Sequence, residues 1–342
     1  MDPLSQAVLG ASLSQSLAKA KQQKSALVIG ALAGMAPDLD VLIQSKGDPL
    51  LFLEFHRQFT HSLAFIPFGA LLCALVFYLW LNLFSRGKTQ SFKTIYLFSF
   101  AGFATHGLLD ACTSYGTQLF WPFSDVRVAW SIVSIIDPLF TLPLLLLVIL
   151  AAWKQRVILA RAGFVYAVVY LAAGYIPKQQ ALDTLNELAQ QREHQPERVR
   201  VKPSFGNRHV WKLIYEYDGR YYVDAANLLA DKYYDGSSIR KLDVSRDFPW
   251  LPADSQQAED IKRFSWFSDG YLAISMKNPD MITDMRYSFL PNRINPMWGI
   301  ELDRPAIEAG DMEKHADFKM IKRSDNGARQ RLIEMIFDSG SE

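Results

Sequence analysis

Two histidines, an arginine and two hydroxyls crowd into His56-Arg57-Gln58-Phe59-Thr60-His61-Ser62, at the mouth of a run, residues 63–84, that carries no formal charge. Pro37-Asp38-Leu39-Asp40 closes an apolar run upstream, and His106-Gly107-Leu108-Leu109-Asp110 lies near the end of another downstream. Imidazole and carboxylate together suit a divalent ion. Zinc is the first choice, and manganese or iron are alternatives that ligand type alone does not exclude. The three pieces read as one metal site at a membrane face, since ionisable groups at membrane depth are costly and tend to be functional.

The spacings sharpen this. His106 and Asp110 are four apart in an apolar helix and so share a face; a structural His–Asp hydrogen bond is the bland alternative. Asp38 and Asp40, at i and i+2 in a turn or strand, point the same way, although a Pro-Asp turn at the interface explains them equally well. His56 and His61 are five apart, which places His56 just before a helix and His61 in its first turn. Arg57 is a candidate bidentate clamp for phosphate or carboxylate, and Thr60 or Ser62 a helix cap. Asp137, before Pro138, is either a carboxylate that orients a ligand histidine or simply the start of a helix. Asp38, Asp40, His56, His61, His106 and Asp110 are the metal-ligand candidates; Asp40, His61 and Arg57 are the candidates for chemistry. Six donors exceed what one tetrahedral ion with an open position takes, so one or two ions are expected.

The elements that must position these groups follow from hydropathy. Charge-poor, mostly apolar segments at 3–18, 25–37, 63–84, 94–112, within 128–153 and at 162–177 predict an all-α polytopic membrane domain of about six segments, the first two of which form either spans or a re-entrant hairpin. Basic clusters at Lys19–Lys21–Lys24, Arg86–Lys88–Lys93 and Lys154–Arg156–Arg161 fall on one side after alternating passes. That side is cytoplasmic by the positive-inside rule. The candidate site and everything after Pro177 then lie on the other side. Beyond a polar stretch at 178–208, residues 209–342 predict a β-rich α+β soluble domain: Asp218-Gly219 and Asp269-Gly270 each separate strand-like runs, and Arg286–Leu290 and Trp298–Leu302 read as further strands.

Net charge is +1 and no basic stripe is present, which argues against nucleic acid. The two cysteines, Cys73 and Cys112, make no disulfide framework. No glycine-rich phosphate loop, Gly-x-Ser-x-Gly elbow or Cys-x-x-Cys occurs.

Taken in order, the Pro37–Asp40, His56–Ser62 and His106–Asp110 motifs, with Thr113-Ser114-Tyr115-Gly116-Thr117 and Trp121-Pro122, resemble the YdjM-like family of membrane-bound metal-dependent hydrolases, over roughly residues 1–150. The resemblance implies an inner-membrane hydrolase with metal-binding His and Asp at the matched positions. Gln6 stands where shorter relatives have His, and Gln58 where Gly is usual. The part after Pro177 looks like a long-form extension to which the resemblance assigns no chemistry. The expectation is therefore a metal-activated water attacking a small or lipid-linked substrate, such as a phosphoester, among membrane lipids. Its rivals are a non-catalytic metal or proton carrier and a membrane anchor displaying the C-terminal domain. Oligomeric state is not legible.

Overall fold

The structure, a computed structural model, describes residues 1–84, 90–321 and 327–337. Arg86 and Lys88 of the second basic cluster lie outside the described residues. The chain divides into two compact units. The first comprises Met1–Leu42, Phe55–Ile176 and Phe205–Asn207; the second comprises Ile43–Glu54, Pro177–Ser204 and Arg208–Glu342.

The first unit is helical. Helix α1 (Pro3–Leu17) starts with Asp2 accepting from the Ser5 amide and Pro3 in the first turn, where a missing N–H costs nothing. Then come α2 (Gln23–Met35), running into a 3-10 stretch Ala36–Leu42, and a short α3 (Leu51–Phe55). Two 3-10 turns, Phe59–His61 and Leu63–Phe65, lead into α4 (Ile66–Phe84). Helices α5 (Phe92–Ala111), α6 (Pro138–Lys154) and α7 (Val157–Ala173) complete it.

Among the described residues, three helical stretches are long and apolar enough to cross a membrane: Ala20–Leu42, Leu63–Leu83 and Val157–Gln191; Pro138–Lys154 is apolar but shorter. The expected six segments are thus all helical, but not all have the character of independent spans. Helix α1 shows why: it buries Ser12, Ser14 and Gln15, which donate to the carbonyls of Ala160, Phe98 and Val148. These are bonds between helices, the polar glue of a bundle interior. Helix α4 is the opposite case. Phe68, Leu72, Val76, Leu79 and Leu83 recur every three or four residues and are all more than half exposed, an outward stripe suited to hydrocarbon rather than water.

Close approach of α1, α2 and α5 depends on glycine. A Cβ at Gly102 would meet the Gly30 carbonyl at 2.4 Å, and one at Gly10 would meet the same oxygen at 2.5 Å. That contact draws the middles of α1, α2 and α5 together.

The second unit holds two antiparallel sheets. The first is β1 (Arg198–Pro203), β2 (Val210–Tyr217), β3 (Arg220–Asn227) and β4 (Lys232–Arg240), in that spatial order. Helix α8 (Tyr175–Gln191) lays Ala181, Leu185 and Leu188 on one face, against Val201, Trp211, Leu213 and Tyr215. The other face packs Ile214, Tyr221 and Val223 against Tyr271, Ala273 and Met285. The second sheet is β5 (Leu272–Ile274), β6 (Met281–Asp284), β7 (Trp298–Glu301) and β8 (Asp317–Met320).

The Asp218-Gly219 hairpin forms as expected, with φ of 49° and 65° at the two turn residues, the signs a type I′ turn needs. Two strand expectations are corrected. Residues 264–267 end a helix, Gln256–Phe267, capped by Ser255, in which Ala258, Ile261, Phe264 and Phe267 are buried; a spacing of three is a helical period, not a strand period. Arg286–Leu290 is not a strand either, apart from an isolated bridge at Ser288. Asp284 Oδ1 accepts the Arg286 amide at 3.0 Å, a side chain taking the place of a ladder partner and ending β6.

Candidate metal centre

The donor-bearing stretches of the first unit converge. Asp38 sits on the 3-10 stretch after α2, His61 on the 3-10 turn before α4, and His106 and Asp110 on α5. One donor atom from each of these four residues lies within 4.8 Å of the other three. His61 Nε2 and His106 Nε2 are 2.9 Å apart. Asp38 Oδ1 is 3.4 Å from the first and 3.3 Å from the second. Asp110 Oδ2 is 3.4 Å from His61 Nε2 and 3.9 Å from His106 Nε2.

The far side of each ring decides what the near side can do. His106 Nδ1 is 2.6 Å from the Gly34 carbonyl, which can only accept, so Nδ1 carries the proton and Nε2 presents a lone pair. His61 Nδ1 is 3.2 Å from Asp40 Oδ2 and 2.9 Å from Thr60 Oγ1, and Thr60 donates its own proton to Asp40 at 2.8 Å. Both imidazoles are thus held from behind by oxygen, the arrangement that fixes a metal-binding tautomer. Burial alone would lower the His61 pKa, but Asp110, Asp38 and Asp40 outweigh it and push it up to about 10. The same negative field that retains a proton there favours a cation.

Asp110 is wholly buried. Its Oδ1 accepts from Gln6 Nε2 at 2.9 Å and from the Met1 amine. Its Oδ2 lies 2.9 Å from Arg57 Nε as an ion pair yet accepts no hydrogen bond among the described residues. A buried carboxylate oxygen left in that state fits a ligand position. A divalent ion therefore fits the residues present: two imidazole nitrogens and two carboxylate oxygens, all within reach of one point.

Asp38, Asp40 and His56 form a second group within 4.8 Å that shares Asp38 with the first. His56 Nδ1 is 2.8 Å from Asp40 Oδ1. The Asp40 side chain is fully buried, whereas those of Asp38 and His56 are 28% and 19% exposed, so this side of the site opens outward.

Arg57 does not reach out as a free clamp. It is buried, with φ at 65°, its amide donates to Asp40 at 3.0 Å, its Nη1 donates to Thr113 at 3.1 Å, and its guanidinium lies 4.5 Å from the centroid of the Tyr115 ring. A left-handed non-glycine residue is strained backbone, of the kind held in place at functional sites. Ser62 is the helix cap, accepting from the Phe65 amide, which leaves Thr60 to the metal side. Asp137 is not part of the site: it caps α6 through the Leu139 and Phe140 amides and accepts from the Tyr170 hydroxyl. Gln6 was legible only as a departure from the resemblance; it is one of two buried amides, with Gln15, in a helix of small and apolar residues.

The model of the YdjM inner membrane protein family matches residues 1–181, more than half of the chain and every donor named above. The chain belongs to that family. Among curated relatives, YfhP of Bacillus subtilis, described as uncharacterized, is 30% identical over 114 residues, 33% of each chain. The inner membrane protein YbcI of Escherichia coli K12 is 33% identical over 113 residues, 32% of this chain and 61% of YbcI. The chain thus spans about a third to three fifths of the relatives it matches. No solved structure matches. Family membership makes this an inner-membrane-type protein; neither named relative carries an activity to transfer.

Proposed function

We propose that the chain is a membrane-bound metal-dependent hydrolase whose centre is Asp38, His61, His106 and Asp110, acting on a lipid or lipid-linked phosphoester. The observation that carries this is the 2.9 Å approach of His61 Nε2 and His106 Nε2, each ring held from behind at Nδ1, with carboxylate oxygens of Asp38 and Asp110 beside them. Two imidazole lone pairs directed at each other are unfavourable unless a proton or a cation lies between them.

A divalent ion bound there would supply Lewis-acid polarisation of a phosphoryl or acyl group and a water of lowered pKa. The chain's own residues do the rest. Asp40 orients His61 and, through Oδ1, holds His56 by its Nδ1 at 2.8 Å. Arg57 holds Asp110 in place and screens its charge. Asp38, shared between the two groups, supports the one-or-two-ion expectation. Zinc is proposed first, with manganese or iron as alternatives that the ligand types do not exclude. The lipid-linked substrate rests on the position of the site beside helices able to cross a bilayer.

The test is elemental analysis of purified full-length protein, followed by assay against a panel of lipid phosphoesters. Bound transition metal together with hydrolysis that His106→Ala abolishes supports the reading. Metal without any hydrolysis favours the carrier alternative. Absence of metal favours the anchor.

A further inference from the structure

One face of the β1–β2 pair in the second unit carries a local cluster of buried positive charge that the carboxylates beside it do not balance. Lys202 and Lys212 are direct cross-strand partners on β1 and β2, so their side chains leave the sheet on one face. Arg200, two residues before Lys202, shares that face. From beyond β6, Arg286 and Tyr287 approach: Lys202 Nζ lies 3.8 Å, and the Arg286 guanidinium 5.3 Å, from the centroid of the Tyr287 ring. Lys202, Lys212 and Arg286 are 7%, 1% and 2% exposed.

Four cations therefore meet two carboxylates. Arg286 is held by Asp284 at 2.7 Å, and Arg200 by Asp269 at 2.7 Å. Lys212 donates only to neutral oxygens, Ser288 Oγ and the carbonyls of Pro291 and Arg293. Lys202 Nζ has no oxygen acceptor among the described residues; its partner is the Tyr287 ring. An ammonium largely withdrawn from water without an acceptor is costly for a fold to hold.

We propose that this cluster of Lys202, Lys212, Arg200 and Arg286 is a binding site for a doubly charged tetrahedral oxyanion of the phosphate type. Two uncompensated charges match a dianion. Arg286, already locked by Asp284, is a rigid planar donor, and Lys202 is a donor with unused protons. Access lies by Asp269, whose side chain is 57% exposed while it sits on Arg200 and Arg198. Burial, with Lys212 beside it, holds the Lys202 pKa well below the ordinary lysine range; a bound anion is what would keep the ammonium charged. The site is independent of the metal centre and involves none of its residues.

The test is calorimetric titration of detergent-solubilised full-length protein with inorganic sulfate and phosphate, alongside thermal unfolding in sulfate against chloride at equal ionic strength. Wild type should bind both anions and unfold at a higher temperature in sulfate. Lys202→Met should weaken both anions by about tenfold or more, the loss of one charge-assisted hydrogen bond. Lys202→Met should also be no less stable than wild type in chloride, because it removes a buried amine that has no acceptor. Lys202→Arg should restore binding. Glycerol 3-phosphate separates the sources: tighter binding than inorganic phosphate indicates a headgroup-type ligand, and weaker binding a free oxyanion. A wild-type chain indifferent to sulfate, or equal sulfate affinity in wild type and Lys202→Met, overturns the proposal.

Discussion

Each imidazole of the centre has one nitrogen occupied by protein oxygen and one left over, so the two histidines are not interchangeable with other polar side chains. His61→Ala or His106→Ala should reduce the metal-to-protein ratio of purified protein to near background. Residues that act on the ligands from behind should cost less: Gln6→Ala or Thr60→Val is expected to weaken metal affinity by about 10–100-fold, as loss of an orienting partner does elsewhere. Competitive chelator titration reads this directly, and unchanged affinity in both variants would remove them from the site. Asp137→Ala supplies the contrast. It should keep the metal and lose only helix-cap stability, about 1 kcal/mol, seen as a lower unfolding midpoint. The donors were legible because type and spacing are properties of the chain: His106 and Asp110 need only a helix to share a face. The supporting partners were not. Gln6 meets Asp110 across 104 positions, and no local pattern encodes such a meeting. Asp137 misled for a related reason: a carboxylate before proline reads alike whether it faces a histidine or its own helix.

At the level of elements, the site depends on how closely the turn bearing His61 approaches α5. A Cβ at Gly107 would meet the His61 carbonyl at 2.1 Å, and backbone cannot yield as a flexible side chain does. Gly107→Ala should therefore displace His61 and abolish metal binding while helix content by circular dichroism stays the same; retained metal would show that the turn can shift. In the second unit, the pairing of β1 with β2 sets a pH dependence. Burial lowers the Lys212 pKa to about 7 from 10.5. Between those values the unfolded chain carries a proton that the folded one does not, so folding stability should rise with pH across that window and be flat below it. Lys212→Met should flatten the rise, measured as urea midpoints for the β-rich unit by limited proteolysis. Hairpin turns were readable because Asp-Gly imposes its own backbone signs, as at Asp218-Gly219. The same dipeptide at Asp269-Gly270 follows a helix instead, and there the aromatic composition of residues 264–267 outweighed their period of three.

For the whole molecule, the basic clusters predict that residues 195–342 lie outside the cytoplasm. A reporter active only outside the cytoplasm, fused after Glu342, should be active; activity of a cytoplasm-only reporter at that point would invert the topology. The helical-then-β order of the chain was legible from where charge begins to accumulate. The number of true spans was not, because a helix such as α1 can turn its polar side chains inward onto its neighbours. Truncation to residues 1–194 should leave metal at Asp38, His61, His106 and Asp110 but lose turnover. The segment Ile43–Glu54 belongs to the second unit, where Arg263 pairs with Asp48 at 2.8 Å and with Glu54, and Phe52 packs edge-on against Phe318. Truncation strips that segment of its partners and loosens the chain between Asp40 and His56. Loss of metal on truncation, in a bundle that still folds, would mean that the centre needs the removed part, either for a ligand or to anchor residues 43–54.

That segment also fixes how the protein can be recombined. A chimera that joins the membrane part of this chain to the extension of another by a single crossover at 176/177 would keep Asp48, Phe52 and Glu54 opposite foreign side chains. The seams between the units fall at 42/43 and 54/55 as well. A chimera therefore has to carry residues 43–54 together with the extension, although they lie far ahead of it in the chain, and a substitution at Asp48 or Glu54 is expected to need a matching change at Arg263.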